Sequence, residues 1–416
     1  MGTSNKKALL SNTLSLYMMN IVKLIFPLLT LPYLTRILST EIYGVVTYVK
    51  AVNVYIQLII DFGFLLSATK EIVFASSDLK KIGRITGDTI AEKGILAICA
   101  CVFFALAACF IPILKENLLF SSLYLISVLV TIFLFDFLFR GLEKMHLIAI
   151  PYIIAKTITT AFTFILIHND SDVLLIPFLE IIGNLVAIII SFYFVKKLKI
   201  KITFSSYKKW LVDLKESTVY FISNFATTIF GALTTLIAGL FLSMTNIAYW
   251  GICMQILSAV KALYNPITNS LYPHMLRERD ISFIKKIGYI MFIPMIFGSL
   301  ILLLGADKVM QIIGGQKYIE AGLILKILLP AFVFSFYSLL YGWPVLGAIG
   351  KVKETTFTTV LTSIIQVFGL AILIIGNIFT LTNLAIVTSI SEVVLFLSRF
   401  FVYYKNRNLF CVGGKK

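Results

Sequence analysis

Four lysines are the residues of this chain best placed to do chemistry: Lys23, Lys50, Lys156 and Lys261 each fall inside an apolar stretch long enough to cross a bilayer. A charge at the centre of a bilayer costs about 2.5 to 3.5 kcal/mol even on a lenient insertion scale, so such residues usually face protein or a water-filled cavity. Lys23 and Lys261 lie farthest from the predicted ends of their stretches. Lys50, Lys156 and likewise Lys326 could instead extend their ammonium groups to a nearby headgroup.

Acidic residues are fewer in the same stretches, and they are Asp61, Asp136, Glu180 and Glu392. Low-dielectric walls strengthen an electric field, so a cavity with more lysines than carboxylates attracts anions. We therefore expect a negatively charged cargo. The two aspartates have basic residues nearby in the sequence, Lys70 and Arg140, with which they could form ion pairs. Asp61, Glu180 and Glu392 are also candidates for binding a coupling proton or cation.

Amide side chains form a second set of candidates within the apolar stretches: Asn20, Asn224, Gln255 and Asn265. Such groups often hold membrane helices together by hydrogen bonds between them. Alternatively, they line a hydrophilic cavity suited to sugar hydroxyls. Both interpretations stay open from the sequence.

The elements that must position these side chains are twelve apolar stretches, each near the length of about 20 residues that a transmembrane helix needs. They lie near 12–34, 43–66, 89–113, 118–138, 147–167, 173–195, 217–242, 247–271, 287–305, 322–345, 356–376 and 380–403. The chain has 416 residues, of which 59% are hydrophobic and 13% charged, with a mean hydropathy of +0.97. These values predict an all-α integral membrane protein that crosses the bilayer several times.

Basic residues fall mainly in alternate loops between the stretches. Of 36 Lys and Arg residues, 26 lie at the two termini or in the loops on one side, whereas the opposite loops hold only Arg36, Lys115, Lys308 and Lys317. Cytoplasmic loops carry the excess of Lys and Arg, so we expect both termini to be cytoplasmic. The net charge of +16 therefore reflects membrane topology and does not indicate binding to nucleic acid.

A lysine-rich loop at 196–216 divides the stretches six and six. It predicts an N-terminal lobe at 1–195, a cytoplasmic linker at 196–216 and a C-terminal lobe at 217–416. The segment at 36–52 resembles that at 239–260, since both contain a Leu-Ser turn followed by an aromatic residue with Gly. Together these features favour a duplicated parallel repeat, in which substrate passes between the halves.

Motifs for common enzyme chemistry are missing from the sequence. It contains no GxxxxGK[ST] phosphate loop and no HExxH, and its three histidines and five cysteines lack metal-ligand spacing. We expect no cofactor and no metal. The longest outward loop, 305–321, has no histidine, whereas a membrane glycan polymerase or ligase needs a substantial external catalytic loop.

Several segments together carry a family resemblance. They are "FPLLTLPYLTRILSTEIYGVVTYVKAV" (26–52), "DFGFLLSATKEI" (61–72), "FRGLEKMHLIAI" (139–150), "YNPITNSLYPHM" (264–275) and "YGWPVLGAIGKVKETT" (341–356). The chain resembles Wzx-type O-antigen and polysaccharide flippases of the multidrug/oligosaccharidyl-lipid/polysaccharide exporter superfamily. The similarity covers nearly the whole chain.

This resemblance implies a V-shaped molecule with two six-helix lobes in the bacterial inner membrane. It implies flipping of an undecaprenyl-pyrophosphate-linked oligosaccharide by alternating access, with a cationic cavity to which Lys23, Lys50 and Lys261 correspond by position. Related lipid flippases often have Arg where this chain has Lys. An arginine side chain can bind a phosphate through two parallel hydrogen bonds, whereas a lysine side chain offers only a point charge. Membrane lipids, a polysaccharide polymerase and chain-length proteins are the implied partners, and proton or sodium coupling is a further expectation.

Other functions remain open alternatives. A drug/cation antiporter of the same superfamily would need an acidic cavity, whereas the candidates here are mostly lysines. A glycan polymerase or ligase conflicts with the short external loops. A scaffolding membrane protein would leave the cost of the buried lysines unexplained.

Overall fold

Apolar stretches become long α-helices in the computed structural model, which describes residues 3–75, 78–228 and 232–410. Lipid offers no partner for backbone N–H and C=O groups, so each stretch satisfies them within its own helix. Contacts divide the chain into two compact units, Met1–Thr228 and Ile229–Lys416. The domain boundaries at 195 and 216 remain a prediction.

The first unit contains ten α-helices among its described residues. They are α1 (Thr3–Ile37), α2 (Thr40–Asp61), α3 (Phe64–Ala75), α4 (Leu79–Phe110), α5 (Pro112–Glu116), α6 (Leu118–Leu129), α7 (Asp136–Gly141), α8 (His146–Leu166), α9 (Leu175–Lys197) and α10 (Tyr207–Thr228). Its core is built around fully buried aromatic side chains, including Phe64, Phe135 and Phe139.

The second unit contains seven α-helices in its described part. They are α11 (Thr234–Phe241), α12 (Met244–Glu278), α13 (Ile281–Gly314), α14 (Ala321–Ile327), α15 (Leu329–Leu340), α16 (Val352–Ile375) and α17 (Leu381–Lys405). Met275, Ile284 and Phe336 are completely buried in its core. A π-helical segment, Tyr341–Leu346, follows α15 and contains Pro344.

Eleven helical segments of the described chain are long and apolar enough to cross a membrane. They correspond to eleven of the twelve predicted stretches. The remaining stretch, 217–242, includes residues 229–231, which lie outside the described residues. Helix α10 covers the first part of this stretch and helix α11 lies in its second part.

Two pairs of helix starts are alike, and the first of them falls in the two segments whose similarity the sequence suggested. Ser39 caps α2 with φ −62° and ψ 156°, and Ser243 caps α12 with φ −64° and ψ 157°. Each serine hydroxyl accepts a hydrogen bond from the backbone N–H three residues later, which satisfies one free donor of the first turn. Asp78 and Asp280 likewise cap α4 and α13 with closely similar backbone angles. The recurrence of both caps in the same order supports a duplicated architecture.

Candidate functional site

A cavity of about 410 Å³ lies within the first unit, among helices predicted to cross the membrane. Helices α1, α2, α4, α8 and α9 all contribute side chains to its wall. The charged lining residues are Lys23, Lys93, Lys156, Asp61 and Asp136. The uncharged polar lining residues are Gln57, Thr131, Tyr152, Asn184 and Ser191. This wall offers both hydrogen-bond donors and acceptors, together with positive charge.

Lys93 and Asp61 form one ion pair in this wall, with 2.9 Å between Nζ and Oδ1. The Lys93 side chain is 8% exposed, whereas that of Asp61 is 43% exposed. Asp61 also accepts a hydrogen bond of 2.8 Å from Gln57, which in turn donates to Thr131 at 3.2 Å. Asp61 therefore pairs with Lys93 and not with Lys70, and α2 and α4 are joined at the cavity.

Lys156 and Glu180 form a second ion pair, with 2.5 Å between Nζ and Oε2. Helices α8 and α9 approach closely here because Gly183 has no side chain. A Cβ at Gly183 would lie 2.3 Å from the Thr159 hydroxyl, which donates a hydrogen bond to the Leu179 carbonyl at 3.4 Å. Lys156 shares a face of α8 with Thr159, and Glu180 shares a face of α9 with Gly183, so the close approach of the two helices keeps this ion pair within reach.

Lys23 has a different environment from the other two lysines of the cavity. Its ammonium group lies 5.4 Å from the centre of the Tyr152 ring, within the range of a cation–π interaction. It forms no ion pair within 4 Å with any described residue. Asp136, on the same wall, also has no ion-pair partner within that distance, including Arg140. Lys23 is thus a cation whose charge no carboxylate in contact neutralises.

The charges of this cavity nearly balance. Two of its three lysines are paired with carboxylates, and only Lys23 is left for an incoming anion. Lys50, on α2, is exposed and has no ion-pair partner within 4 Å among the described residues, although it lies in electrostatic range of Glu180 and Lys156. Lys50 is not among the residues that line the cavity, so an anion that reaches the cavity would encounter Lys23 before it competes for the paired ammonium groups.

A neighbouring cavity of about 250 Å³ shares Gln57, Asp61 and Leu65 with the first one. Asn224 and Thr228 of α10 line its other side. Asn224 is therefore a predicted amide that lines the cavity next to the charged wall. Asn20 is on α1 and its side chain is exposed.

In the second unit, Lys261 and Glu392 are in direct contact through a hydrogen-bonded ion pair. The Glu392 side chain is only 3% exposed, whereas that of Lys261 is 29% exposed. Nearby along α17, Ser391 donates a 2.5 Å hydrogen bond to Gln366, which donates to Thr388 at 3.3 Å. Lys261 is therefore paired with an acid and is not a free charge.

The remaining predicted residues lie apart from these ion pairs. Gln255 is half-buried on α12 and Asn265 is exposed on the same helix. Lys326 contacts both carboxylate oxygens of Asp307 at 3.1 Å. Ser223 and Thr227 have side chains that lie outside the described part of the chain, as does Cys411.

Lys93 is the cavity residue that the sequence reasoning missed. It belongs to the segment "GDTIAEKGILA" at the start of the third apolar stretch, where three charges occur within six residues. Lys93 lies inside the predicted stretch 89–113 but was not among the candidate lysines. Its place within an apolar stretch was the available signal, although only the packing of α4 shows which way it faces.

The fold has well-defined relatives among solved structures. A multidrug resistance MATE family transporter of the MOP superfamily, in an inward-facing conformation, superposes with a TM-score of 0.71 at 13% identity, covering 94% of this chain and 98% of the other. The lipid II flippase MurJ, in an inward closed conformation, gives a TM-score of 0.69 at 14% identity, covering 95% and 87%. The chain therefore has the multi-helix fold of these two membrane proteins.

Sequence comparisons identify the family to which the chain belongs. Residues 9–279 match the family model described as polysaccharide biosynthesis protein, and the chain belongs to that family. A protein of Escherichia coli (strain K12) named "Putative O-antigen transporter" is 27% identical over 98% of this chain and 99% of its own length. A protein of the same name from Shigella dysenteriae is 29% identical over 85% and 90%. The family resemblance expected from the sequence is confirmed, and the protein is a multi-pass protein of the bacterial inner membrane.

Proposed function

We propose that this protein moves a lipid-linked oligosaccharide, of the O-antigen repeat-unit type, from the cytoplasmic to the periplasmic leaflet of the inner membrane. The relatives named for O-antigen transport and the MurJ-like fold support this cargo class. The observation that carries the proposal is the cavity of the first unit, where Lys23 has no carboxylate within 4 Å among the described residues and lies beside several hydrogen-bonding side chains.

The chemistry of the cavity suits such a cargo. A diphosphate and several sugars cannot cross hydrocarbon unaided, because each desolvated polar group costs kilocalories. The cavity wall replaces water with donors and acceptors for hydroxyl groups, and Lys23 and Lys50 provide positive charge for the diphosphate. The polyprenyl chain stays in the surrounding lipid. No bond is made or broken, so the protein acts as a transporter and not as an enzyme.

Lys156 and Lys261 have a second proposed role, since each already holds a carboxylate. An incoming diphosphate competes with Glu180 for Lys156 and with Glu392 for Lys261. A carboxylate released in a low-dielectric site takes up a proton or cation, which links cargo binding to an ion gradient. Asp61 can act in the same way through Lys93, and Asn20, Asn224, Gln255 and Asn265 are proposed contacts for sugar hydroxyls.

The proposed transport cycle uses two six-helix lobes with cytoplasmic termini. Alternating access then requires two lobe arrangements that expose the cavity to opposite leaflets. The paired serine and aspartate caps of the two units support this duplication, because equivalent helices begin in the same way in both. Twelve transmembrane helices, with α10 and α11 in the stretch at 217–242, belong to this proposal.

A drug/cation antiporter is the second candidate function, because a MATE transporter shares the fold. The two candidates differ in the charge of the cargo. Purified protein in liposomes should move a fluorescent undecaprenyl-pyrophosphate glycan between leaflets and should not move a cationic dye. Dye transport without glycan movement would overturn the proposal. In a strain that lacks its own flippase, expression of the protein should restore surface polysaccharide.

A further inference from the structure

A group of four carboxylates lies in the first unit outside the proposed cargo cavity. Glu71 of α3, Asp88 and Glu92 of α4 and Asp213 of α10 line a small space of about 10 Å³. Ser67 and Ser217, from α3 and α10, also line it, and their hydroxyl oxygens are 2.8 Å apart. Helix α10 is therefore docked on α3 and α4 across this group.

Three of the four carboxylates have partners. Asp88 accepts hydrogen bonds from the Ser205 N–H at 2.6 Å, the Ser205 hydroxyl at 2.7 Å and the Trp210 indole at 2.8 Å. Asp213 is hydrogen-bonded to Lys209, and Lys209 also lies 3.7 Å from Glu71. Each of these three carboxylates therefore has a donor or a cation nearby.

Glu92 is different. It is 2% exposed, and its Oε1 atom is buried without a hydrogen-bond partner in the described structure. The charged groups that face it are Glu71 from α3, Asp88 from its own helix, and Asp213 and Lys209 from α10. Among these groups, the Lys209 ammonium is the single positive charge, and it faces four carboxylates, including Glu92 itself.

The state of Lys209 supports this account. Its partial burial acts to lower the pKa of the ammonium group, but the hydrogen bond to Asp213 and the charges of Glu71, Asp213 and Glu92 raise the pKa above its ordinary value. Lys209 therefore stays charged at neutral pH. Its charge is already shared between Asp213 and Glu71, so it leaves Glu92 uncompensated.

We propose that Glu92 is the proton-binding group of a site buried beneath α10, and that its proton holds α10 against α3 and α4. A buried carboxylate without a partner is too costly to persist, so the group neutralises itself. The neutral acid removes one of four like charges and gains an O–H donor for a neighbouring carboxylate. Docking is strong while Glu92 carries the proton and weakens as pH rises and the proton is lost.

A proton fits this site better than a metal ion. The space is about the size of one water molecule, and no group of three potential ligands in the described chain has the geometry to hold a metal ion. The site does not depend on the identity of the cargo. Failure of the flippase proposal would leave it unaffected, and its own failure would leave the cargo cavity intact.

Trp210 reports directly on the docking of α10, because its indole donates to Asp88. The chain has three tryptophans, so Trp250→Phe and Trp343→Phe give a protein with Trp210 alone. In detergent or liposomes, its emission should shift to longer wavelength as pH is raised from mildly acidic to alkaline. Glu92→Gln should abolish this shift, because it fixes the uncharged form. Glu116 is exposed, so Glu116→Gln serves as the matched control. The emission of Trp210 in this variant should shift with pH as it does in the parent.

A shift that is unchanged by Glu92→Gln, or no shift in the parent, would overturn the proposal. A shift that follows sodium concentration at constant pH would also overturn it, in favour of a cation site. Infrared difference spectra of the protein with all its tryptophans provide a second measurement. A protonated-carboxyl band that disappears at alkaline pH should be present in the parent and missing in Glu92→Gln, and a band that survives this substitution would contradict the assignment.

Discussion

The Lys93 ammonium group lies 2.9 Å from the Asp61 carboxylate and joins α4 to α2 in the wall of the proposed cargo cavity. The Lys93 side chain is nearly buried, while that of Asp61 is partly exposed. Lys93 therefore depends on its partner for a counterion, whereas Asp61 remains accessible from the cavity.

Removing one partner of this pair should destabilise the protein more than removing both. Asp61→Asn leaves Lys93 as a nearly buried charge without a counterion, and we expect the free energy of unfolding to fall by about 1 to 3 kcal/mol. This loss is smaller than that for a fully buried ion pair because Asp61 is partly exposed. The double variant Asp61→Asn with Lys93→Met should be more stable than Asp61→Asn alone. Thermal unfolding in detergent measures both.

Lys326 and Asp307 provide the matched control for this pair. They are separated by 3.1 Å, but both side chains are more exposed than Lys93, at 30% and 54%. Exposed pairs contribute about 0 to 1 kcal/mol, so Asp307→Asn should change the unfolding temperature little. Equal losses for Asp61→Asn and Asp307→Asn would show that the burial of Lys93 is not what matters.

Gly183 should not tolerate a side chain. A Cβ there would lie 2.3 Å from the Thr159 hydroxyl, so Gly183→Ala forces α8 and α9 apart, at a cost of about 1 to 3 kcal/mol for overpacking. Thr159→Ala in the same chain should recover part of the loss. Unfolding temperature and transport rate are the measurements.

Gly298 serves as the control for that substitution. It lies in the middle of α13, and an added Cβ would meet no atom within 4 Å. Gly298→Ala should therefore be neutral or slightly stabilising, since Ala has the higher helix propensity. If Gly183→Ala proves equally harmless, the close approach that positions Lys156 and Glu180 is wrong.

Exchanging the charges of Lys261 and Glu392 separates a structural role from cargo binding. Lys261→Glu alone places two carboxylates together and should reduce the amount of folded protein. Lys261→Glu with Glu392→Lys restores an ion pair and should restore folding. Under the proposed function, transport should remain low in the double variant, because the ammonium group now stands on α17. Full transport by the exchanged pair would assign Lys261 a structural role only.

Much of the fold follows from local sequence. A run of about 20 apolar residues has few structural options in lipid, so eleven of twelve predicted stretches became helices of the expected kind. The Leu-Ser turns also pointed to the equivalent starts of α2 and α12, because a serine cap acts on its own first turn.

The ion pairs of the site could not be predicted in this way. Lys156 and Glu180 are 24 residues apart, and Lys261 and Glu392 are 131 residues apart. Each pair depends on which helices pack together and on how each is rotated about its axis. Apolar helices with similar composition give little information on either point. Lys93 was missed for the same reason, since only the packing of α4 against α2 shows that it faces a cavity.

Lys23 is the side chain on which the proposed function depends most. In liposomes that contain a labelled undecaprenyl-pyrophosphate glycan, the rate at which the glycan becomes accessible to an added glycosidase measures flipping. Lys23→Gln should slow this rate at least about tenfold, the effect of about 1.4 kcal/mol, while Lys23→Arg should keep most of it. A Lys23→Gln protein that folds normally and flips the glycan at the unchanged rate would contradict the account.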